Sequence, residues 1–168
     1  MTERGHDLYG RSTDECCEAA MGPSIGSTDR LDVWRDLIRE HFVALDIDAD
    51  RDATFAGAVR STELGHLKVA SVDSRTQGCH RTPGLARRDS QVYLQVGLVA
   101  RGEAVLRQDG REAALRPGDF AIYETDRPFF WGLRGDWRLF VYTWPRASVA
   151  LGPGPGVDEQ SPVPAQAP

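Results

Sequence analysis

The sequence predicts a mainly β protein, an antiparallel barrel or sandwich, because short apolar runs alternate with turn residues at even spacing. This pattern covers residues 91–144. Asp109-Gly110 separates two of the runs and suits a type I′ hairpin turn, in which both central residues need positive φ. Pro117-Gly118 fits a type II turn, since proline presets φ and glycine accepts the positive φ that follows.

The remaining strands are predicted from the turns and alternation around them. Turn signals at residues 125–128 and 134–136 divide the rest of the stretch, which predicts a meander of about five strands. Upstream, residues 56–63 and 66–72 are expected to form two strands joined around Gly65.

Two polar segments are expected to connect these elements. Residues 45–52 carry aspartate at alternate positions and are predicted to form a solvated connector or an edge strand. They lack the glycine and terminal glutamate of a calcium-binding loop. Residues 74–89 are polar and are predicted to be a loop.

Residues 27–42 predict an amphipathic helix ahead of the strands. Its apolar side chains recur with the helical period on one face: Leu31, Trp34, Leu37, Ile38 and Phe42. Ser27, Thr28 or Asp29 is expected to cap the first turn by accepting a backbone N–H. We expect Trp34 to pack this helix against the barrel.

Composition bounds the domain and its partners. Residues 1–26 and 152–168 are polar or rich in Pro and Gly and are predicted to be disordered, which leaves one domain at 27–151. The net charge of −5 argues against a nucleic-acid-binding surface.

No apolar run is long enough to span a membrane. An odd count of three cysteines predicts reduced thiols and a cytoplasmic location.

An ordered series of short motifs carries a family resemblance. The series is Arg81-Thr82-Pro83, Gly102-Glu103-Ala104-Val105, Gln108-Asp109-Gly110-Arg111-Glu112-Ala113, Leu115-Arg116-Pro117-Gly118-Asp119-Phe120 and Arg127-Pro128-Phe129. It resembles the cupin-type N-terminal domain of AraC-family transcription regulators, over about two thirds of the chain. The resemblance implies a cupin-like barrel, of the jelly-roll or double-stranded β-helix type, with an N-terminal amphipathic helix.

The resemblance also implies a function. In that family the domain binds a small effector and dimerises, while a second domain binds DNA. No helix-turn-helix pair is predicted after residue 151, so we expect a regulator truncated before its DNA-binding domain. The expected partners are a small-molecule effector and either a second copy or a related regulator, with no direct DNA binding and no membrane. We expect no cofactor and no enzymatic activity.

Six side chains are the candidate ligand-binding residues: Arg81, Tyr93, Gln95, Tyr123, Phe129 and Trp131. Small-molecule sites are concave and largely aromatic, with few polar groups. Tyr93 and Gln95 share one face of a strand, and the opposite face is aliphatic. The sequence therefore does not decide which of the two faces points inward. Arg81 has two interpretations: it lines the pocket mouth, or it pins its loop.

Two alternative functions remain. A metal-dependent cupin enzyme would need histidines that converge inside the barrel. The four histidines, His6, His41, His66 and His80, all lie outside the 91–144 meander, and Phe129 stands where a later histidine of such an enzyme would fall. We therefore expect no metal site. The second alternative is an interaction module that pairs with full-length regulators.

Overall fold

The computed structural model describes residues 26–49 and 55–149. Apart from Gly26, the segments predicted to be disordered lie outside these residues. In chain order the elements are β1 Gly26–Thr28, α1 Leu31–His41, β2 Asp46–Ala49, β3 Gly57–Leu64, β4 Leu67–Ser74, β5 Gln77–Arg81, α2 Pro83–Arg88, β6 Tyr93–Gln108, β7 Arg111–Leu115, β8 Phe120–Glu124, β9 Phe129–Pro145 and a 3₁₀ turn Arg146–Ser148.

The nine strands of the described residues form one antiparallel sheet that is bent into two halves. The strands β6 and β9 run through both halves and pair with each other along most of their length. Half-sheet A has the order β1-β3-β4-β9-β6-β8 and uses the start of β6 and the end of β9. Half-sheet B has the order β2-β5-β9-β6-β7 and uses the end of β6 and the start of β9.

A bulge and a glycine bend produce the change of direction. The pairing of β6 with β9 shifts register between Val99 and Glu103. Gly102 lies in this bend with φ +83, and a Cβ there would stand 2.7 Å from Cβ of Trp137, so only glycine fits without strain. Gly135, with φ +72, bends β9 at the same level. The bend turns the inner faces of the two half-sheets toward each other.

The core lies between these inner faces. Val72, Leu139 and Val141 from half-sheet A meet Cys79 and Trp131 from half-sheet B in one buried cluster. Mainly β and cupin-like is therefore the observed fold class, as predicted.

The helix α1 closes one end of the space between the half-sheets. Its Trp34 is fully buried and donates a hydrogen bond from Nε1 to Gln77 Oε1 at 3.2 Å. Arg35 donates from its NH2 atom to the Ile47 carbonyl at 2.7 Å, which fixes the helix to β2. The predicted packing role of Trp34 is confirmed. Neither helix in the described residues has the length and hydrophobicity needed to cross a bilayer.

The predicted start of α1 was wrong. The helix begins at Leu31, and its N-cap, Arg30, makes no side-chain cap hydrogen bond. Residues 26–28 instead form β1, which pairs with β3, so their backbone groups are satisfied by the sheet. Thr28 Oγ1 accepts a hydrogen bond from the Arg30 N–H at 3.0 Å, outside the helix.

The prediction of a loop at 74–89 was also wrong. This segment contains β5, which lies between β2 and β9, and the helix α2. Thr82 caps α2 by accepting from the Leu85 N–H at 3.3 Å, and Pro83 occupies its first turn. The edge-strand interpretation of residues 45–52 is confirmed for β2 at the margin of half-sheet B.

The turns were predicted more accurately than the number of strands. Asp109 and Gly110 have φ values of +54 and +74, as a type I′ turn requires. Gly118 has φ +95, and Asp119 N–H donates to the Arg116 carbonyl at 2.9 Å, which confirms the type II turn. The 134–136 signal, however, marks a bend within β9, so the meander has four strands, two of them long, rather than about five.

Candidate functional site

A small, partly open cavity of ≈ 60 Å³ lies between the half-sheets, beneath α1. We call α1 and residues 42–45 the lid, because Ile38, Phe42, Val43 and Leu45 form one wall of the cavity. The sheets provide the other walls, almost all of them apolar: Val72, Gln77, Cys79, Gln95, Tyr123, Phe129, Trp131, Leu133, Trp137, Leu139 and Val141. Ligand sites for drug-sized molecules measure roughly 300–1,000 Å³. With the lid in its present position, the cavity therefore admits only a very small ligand.

Three of the predicted site residues form an aromatic wall. The Tyr123 ring meets the Phe129 ring edge-on at 4.9 Å between centroids and the Trp131 ring at 5.5 Å. All three side chains are buried. A Cβ on Gly97 would lie 2.8 Å from Cζ2 of Trp131, so the glycine leaves the space that the indole occupies.

The indole of Trp131 brings an unsatisfied donor to this wall. Its Nε1 is buried and has no hydrogen-bond partner within the part of the chain that the structure describes. Burial raises the pKa of the neighbouring Tyr123 hydroxyl, and Trp131 offsets part of that rise, although the two groups do not have the geometry of a hydrogen bond. A buried donor without an acceptor costs about 1–3 kcal/mol, so a ligand that brings an acceptor would recover this energy.

Two glutamines supply the other polar groups of the cavity walls. Gln95 is 2 % exposed and donates from Nε2 to Thr143 Oγ1 at 3.0 Å. Gln77 accepts from Trp34 and donates from Nε2 to Cys79 Sγ at 3.4 Å. The face of β6 that carries Gln95 therefore points inward, which decides between the two orientations that the sequence left open.

The buried acids of the site stay protonated at neutral pH. Burial raises the pKa of the Cys79 thiol from its ordinary value of 9.0 to about 12. Burial likewise raises the pKa of the Tyr123 hydroxyl. Cys79 is therefore a small neutral side chain here and not a nucleophilic thiolate.

Arg81 is not among the residues that line the cavity; it borders a separate open depression and holds three segments together. Its guanidinium donates from Nε to the Thr125 carbonyl at 3.1 Å and from the NH1 atom to the Ala44 carbonyl at 3.0 Å. It also pairs with Asp89 at 2.7 Å, while its side chain is fully buried. These contacts agree with the pinning interpretation of Arg81; its role toward a ligand stays a prediction.

Tyr93 lies apart from the other candidates. It is half-buried, and its hydroxyl donates to Gln91 Oε1. It borders an open surface depression beside Asp89 rather than the cavity between the half-sheets. Gln95, Tyr123, Phe129 and Trp131 are thus brought together at the cavity, whereas Arg81 and Tyr93 do not line it.

Several cavity residues escaped the sequence reasoning. Gln77 and Cys79 lie on β5, which was taken for a loop, and the lid residues were assigned only to packing. Thr82-Pro83, a helix-start signal directly after β5, could have indicated an ordered segment there.

Among residues 26–49 and 55–149, no group of three or more His, Cys, Asp or Glu side chains is arranged to hold a metal ion. His80 Nε2 and Asp48 Oδ2, which lie 3.3 Å apart, are exposed on the outer side of half-sheet B.

Comparisons with known proteins bear on this site. Residues 34–165 match the model of the AraC-binding-like domain. A protein of Bacillus sp. strain OxB-1, described as an uncharacterized protein in the nit 5′ region, is 31% identical over 119 residues, 71% of this chain and 46% of that protein. The transcriptional activator NphR of a Rhodococcus species is 30% identical over 83 residues, 49% of this chain and 25% of NphR.

Among solved structures, the AraC-like transcriptional activator CuxR superposes with a TM-score of 0.62 at 17% identity, over 71% of this chain and 46% of CuxR. That likeness concerns the fold. The chain spans less than half the length of each of these three proteins. The family match covers most of the described residues, including the cavity and its lid. The chain therefore belongs to the AraC-binding-like domain family.

Proposed function

We propose that this domain senses a small effector, which binds between the half-sheets and beneath the lid, as part of transcription regulation. The observation that carries the proposal is the buried, unpartnered Nε1 of Trp131 at a cavity with otherwise apolar walls. The family, whose name refers to binding in AraC-type regulators, supports the same function. Such a regulator works in the cytoplasm.

The chemistry of the walls suggests the effector class. Tyr123, Phe129 and Trp131 offer ring faces and edges, and the indole N–H offers one donor. A compact, mainly apolar molecule with a single hydrogen-bond acceptor fits this set. An ionised effector does not, because none of the described residues that line the cavity is charged, and burial of an unpaired charge is costly.

The effector enters by displacement of the lid. The volume of ≈ 60 Å³ is too small for most metabolites, and among the described lining residues those of the lid are the ones outside the sheet. The lid is held by the Arg81 contact to Ala44 and by Arg35 to Ile47. An effector that separates Ile38 and Phe42 from the sheet therefore changes the position of α1, which is the structural signal we propose.

We infer that the domain is not an enzyme. Phe129, at the position where a cupin enzyme would carry a histidine, contributes a ring to the cavity wall. Cys79, the free thiol at the cavity, is protonated because burial raises its pKa to about 12. The residues at the cavity thus offer binding contacts and no activated nucleophile or metal ligand set.

The test is a ligand screen by thermal shift with small neutral aromatic and aliphatic compounds, followed by calorimetry. A ligand at 100 times its Kd adds about 2.7 kcal/mol of stability. Trp131→Phe keeps an aromatic ring but removes the donor, and it should weaken a ligand with an acceptor by roughly 0.5–1.5 kcal/mol. Trp144→Phe, on the outer side of the sheet, is the matched control. Equal affinity in wild type and Trp131→Phe would contradict the assigned site.

We also propose that the described residues bind no DNA themselves and that the domain acts through self-association or pairing with a related regulator. The net charge is −5, and DNA affinity depends on cationic contacts that release counterions. Titration into duplex DNA at low salt should show no binding beyond about 10⁻⁴ M. Tight, salt-dependent binding would contradict this part of the proposal.

A further inference from the structure

Four polar groups meet at one corner of the cavity between the half-sheets. Gln77 and Cys79 lie on the inner side of β5, and Trp131 on β9 stands directly opposite Cys79. Gln77 Nε2 donates to Cys79 Sγ at 3.4 Å, and the Tyr123 ring lies 5.5 Å from the Trp131 ring. We call these four residues, Gln77, Cys79, Tyr123 and Trp131, the polar corner. Apart from Gln95, the other described wall residues are aliphatic or aromatic, so the corner offers a ligand the largest choice of hydrogen-bond partners.

The N–H donors of the polar corner are poorly satisfied. The Trp131 Nε1–H is buried and has no hydrogen-bond partner among residues 26–49 and 55–149. Gln77 is 4 % exposed, and its Nε2 donates to a thiol sulfur, which is a weak acceptor. A carbonyl oxygen has two lone pairs and accepts from two N–H groups at once. A neutral effector that carries a carbonyl oxygen therefore suits both donors.

The side-chain amide of Gln77 also holds helix α1. Its Oε1 accepts from Trp34 Nε1 at 3.2 Å, so one amide group joins the lid to the polar corner. Resonance keeps an amide planar, and its oxygen and nitrogen therefore move together. A rotation that brings Nε2 of Gln77 toward a ligand oxygen thus moves Oε1 relative to the Trp34 indole.

The indole of Trp34 is too tightly packed to follow this movement by itself. Trp34 is fully buried, and its ring fills the space at Gly57, where a Cβ would stand 2.5 Å from Cε3. The Phe55 ring packs against it at 5.8 Å between centroids. Closely packed interiors transmit strain, and a buried N–H that loses its acceptor costs free energy. The position of α1 therefore depends on where Gln77 places its Oε1.

We propose that Gln77 couples the cavity to α1: its Nε2 recognises a carbonyl oxygen of the effector, and its Oε1 is thereby withdrawn from Trp34. The inference rests on the proposed function, because it takes the cavity between the half-sheets as the effector site. It adds the carbonyl as the group that is recognised and Gln77 as the residue that transmits occupancy. A carbonyl compound then displaces α1 further than a hydrocarbon of the same shape does.

The coupling has a direction that can be measured. Since the hydrogen bond from Trp34 to Gln77 breaks on binding, its removal in advance lowers the cost of binding. Trp34→Phe should therefore strengthen the binding of a carbonyl compound, whereas Gln77→Leu should weaken it, because the amide donor is lost. A merely structural contact would not produce opposite effects, since its loss disturbs the same cavity in both variants.

The experiment is an NMR titration of the full chain with two probes of the same shape. Acetophenone carries a carbonyl oxygen, and α-methylstyrene has a CH2 group in its place, so the ratio of their dissociation constants isolates the contribution of the oxygen. Gln77→Leu should weaken acetophenone about three- to tenfold relative to α-methylstyrene. Trp34→Phe should change the ratio in the opposite direction, by about twofold or more. Trp144→Phe, the same substitution on the outer side of the sheet, is the matched control and should leave the ratio unchanged.

The same spectra follow the response of α1. The indole N–H resonance of Trp34, assigned from Trp34→Phe, should move further with acetophenone than with α-methylstyrene in the wild type. In Gln77→Leu the two probes should move it equally. Thermal unfolding of each variant checks the fold. If Gln77→Leu is unfolded, the double variant with Trp34→Phe is compared with Trp34→Phe alone, because removal of both partners of a buried hydrogen bond can be nearly neutral.

The outcomes separate this inference from the proposed function. Selective loss of acetophenone binding in Gln77→Leu, together with the gain in Trp34→Phe, supports the coupling. If only α-methylstyrene binds, if Gln77→Leu weakens both probes by the same factor, or if Trp34 responds equally to both in the wild type, the cavity remains a ligand site and the coupling by Gln77 is overturned. If neither probe binds at millimolar concentration, the inference fails together with the effector class proposed above.

Discussion

The outer faces of the two half-sheets differ, although the same two strands, β6 and β9, run through the middle of both. Ahead of the bend at Gly102, the outward side of β6 carries Leu94, Val96 and Leu98; beyond the bend it carries Arg107, which pairs with Glu112 and lies 5.4 Å over the Phe130 ring. The chemistry of a strand face thus changes within one strand. The difference between the two outer faces therefore depends on what each side chain contacts and not on the strand to which it belongs.

The comparison is tested most strongly by truncating one aromatic residue on each outer face. Phe140→Ala should lower the free energy of unfolding by about 3–5 kcal/mol, because it empties a packed site on half-sheet A. Phe130→Ala on half-sheet B should cost about 1–1.5 kcal/mol, since that ring is only half-buried. Urea unfolding at low protein concentration measures both values. Equal losses would mean that the two outer faces are energetically alike.

The stability of the buried interior should respond to alkaline pH. The pKa of Cys79 is raised in the folded state, so its contribution to stability is complete below pH 9.0 and is lost as the pH rises toward about 12. Each such group contributes at most about 1.4 kcal/mol per pH unit. Unfolding of wild type and Cys79→Ala between these limits measures the effect. A slope unchanged by Cys79→Ala would contradict the assigned cause.

A turn variant probes half-sheet B without touching either face. Gly110 has φ +74 and open space around its Cα, so Gly110→Val should cost about 1–2 kcal/mol through backbone strain alone. Gly110→Asn, which tolerates positive φ, is the matched control and should cost less. Thermal unfolding distinguishes the two. Wild-type stability in Gly110→Val would show that the turn relaxes at no cost.

The smallest effect is expected at the ion pairs of half-sheet B. Arg107 and Glu112 are each more than half exposed, and exposed pairs of this kind are worth about 0–1 kcal/mol. Arg107→Ala should therefore change stability by less than about 1 kcal/mol, including its contact with the Phe130 ring, and leave self-association unchanged. A larger loss, or a change in sedimentation, would give half-sheet B a role that its surface composition does not suggest.

Short sequence patterns predicted the turns and the packing face of α1, because neighbouring residues determine these elements. The turns at Asp109-Gly110 and Pro117-Gly118 depend on φ values that few residues adopt, and the packing face of α1 follows a helical period. For β5 such signals are missing. The strand has only five residues, and they alternate in no regular polar and apolar pattern. They form a strand only because they pair with β2 and β9, which are distant in sequence.

The site was predicted less completely, for a related reason. Both faces of β6 are largely apolar around Gln95, so alternation could not tell the core side from the outer side. Closure of the barrel, which joins strands distant in sequence, determines which side faces inward. The residues of the aromatic wall were predicted because aromatic side chains are typical of ligand sites. The lid residues Ile38 and Val43 were missed because aliphatic side chains in and beside a helix usually serve only its packing.

The guanidinium of Arg81 has a consequence for kinetics. One side chain joins the lid at Ala44, the turn after β8 at Thr125 and the end of α2 at Asp89. In the proposed route of entry, the contact to Ala44 breaks before the lid moves, so that opening precedes every entry and every departure of a ligand. The observed association rate should therefore reach a plateau as ligand concentration rises, and this plateau should be the same for chemically different effectors.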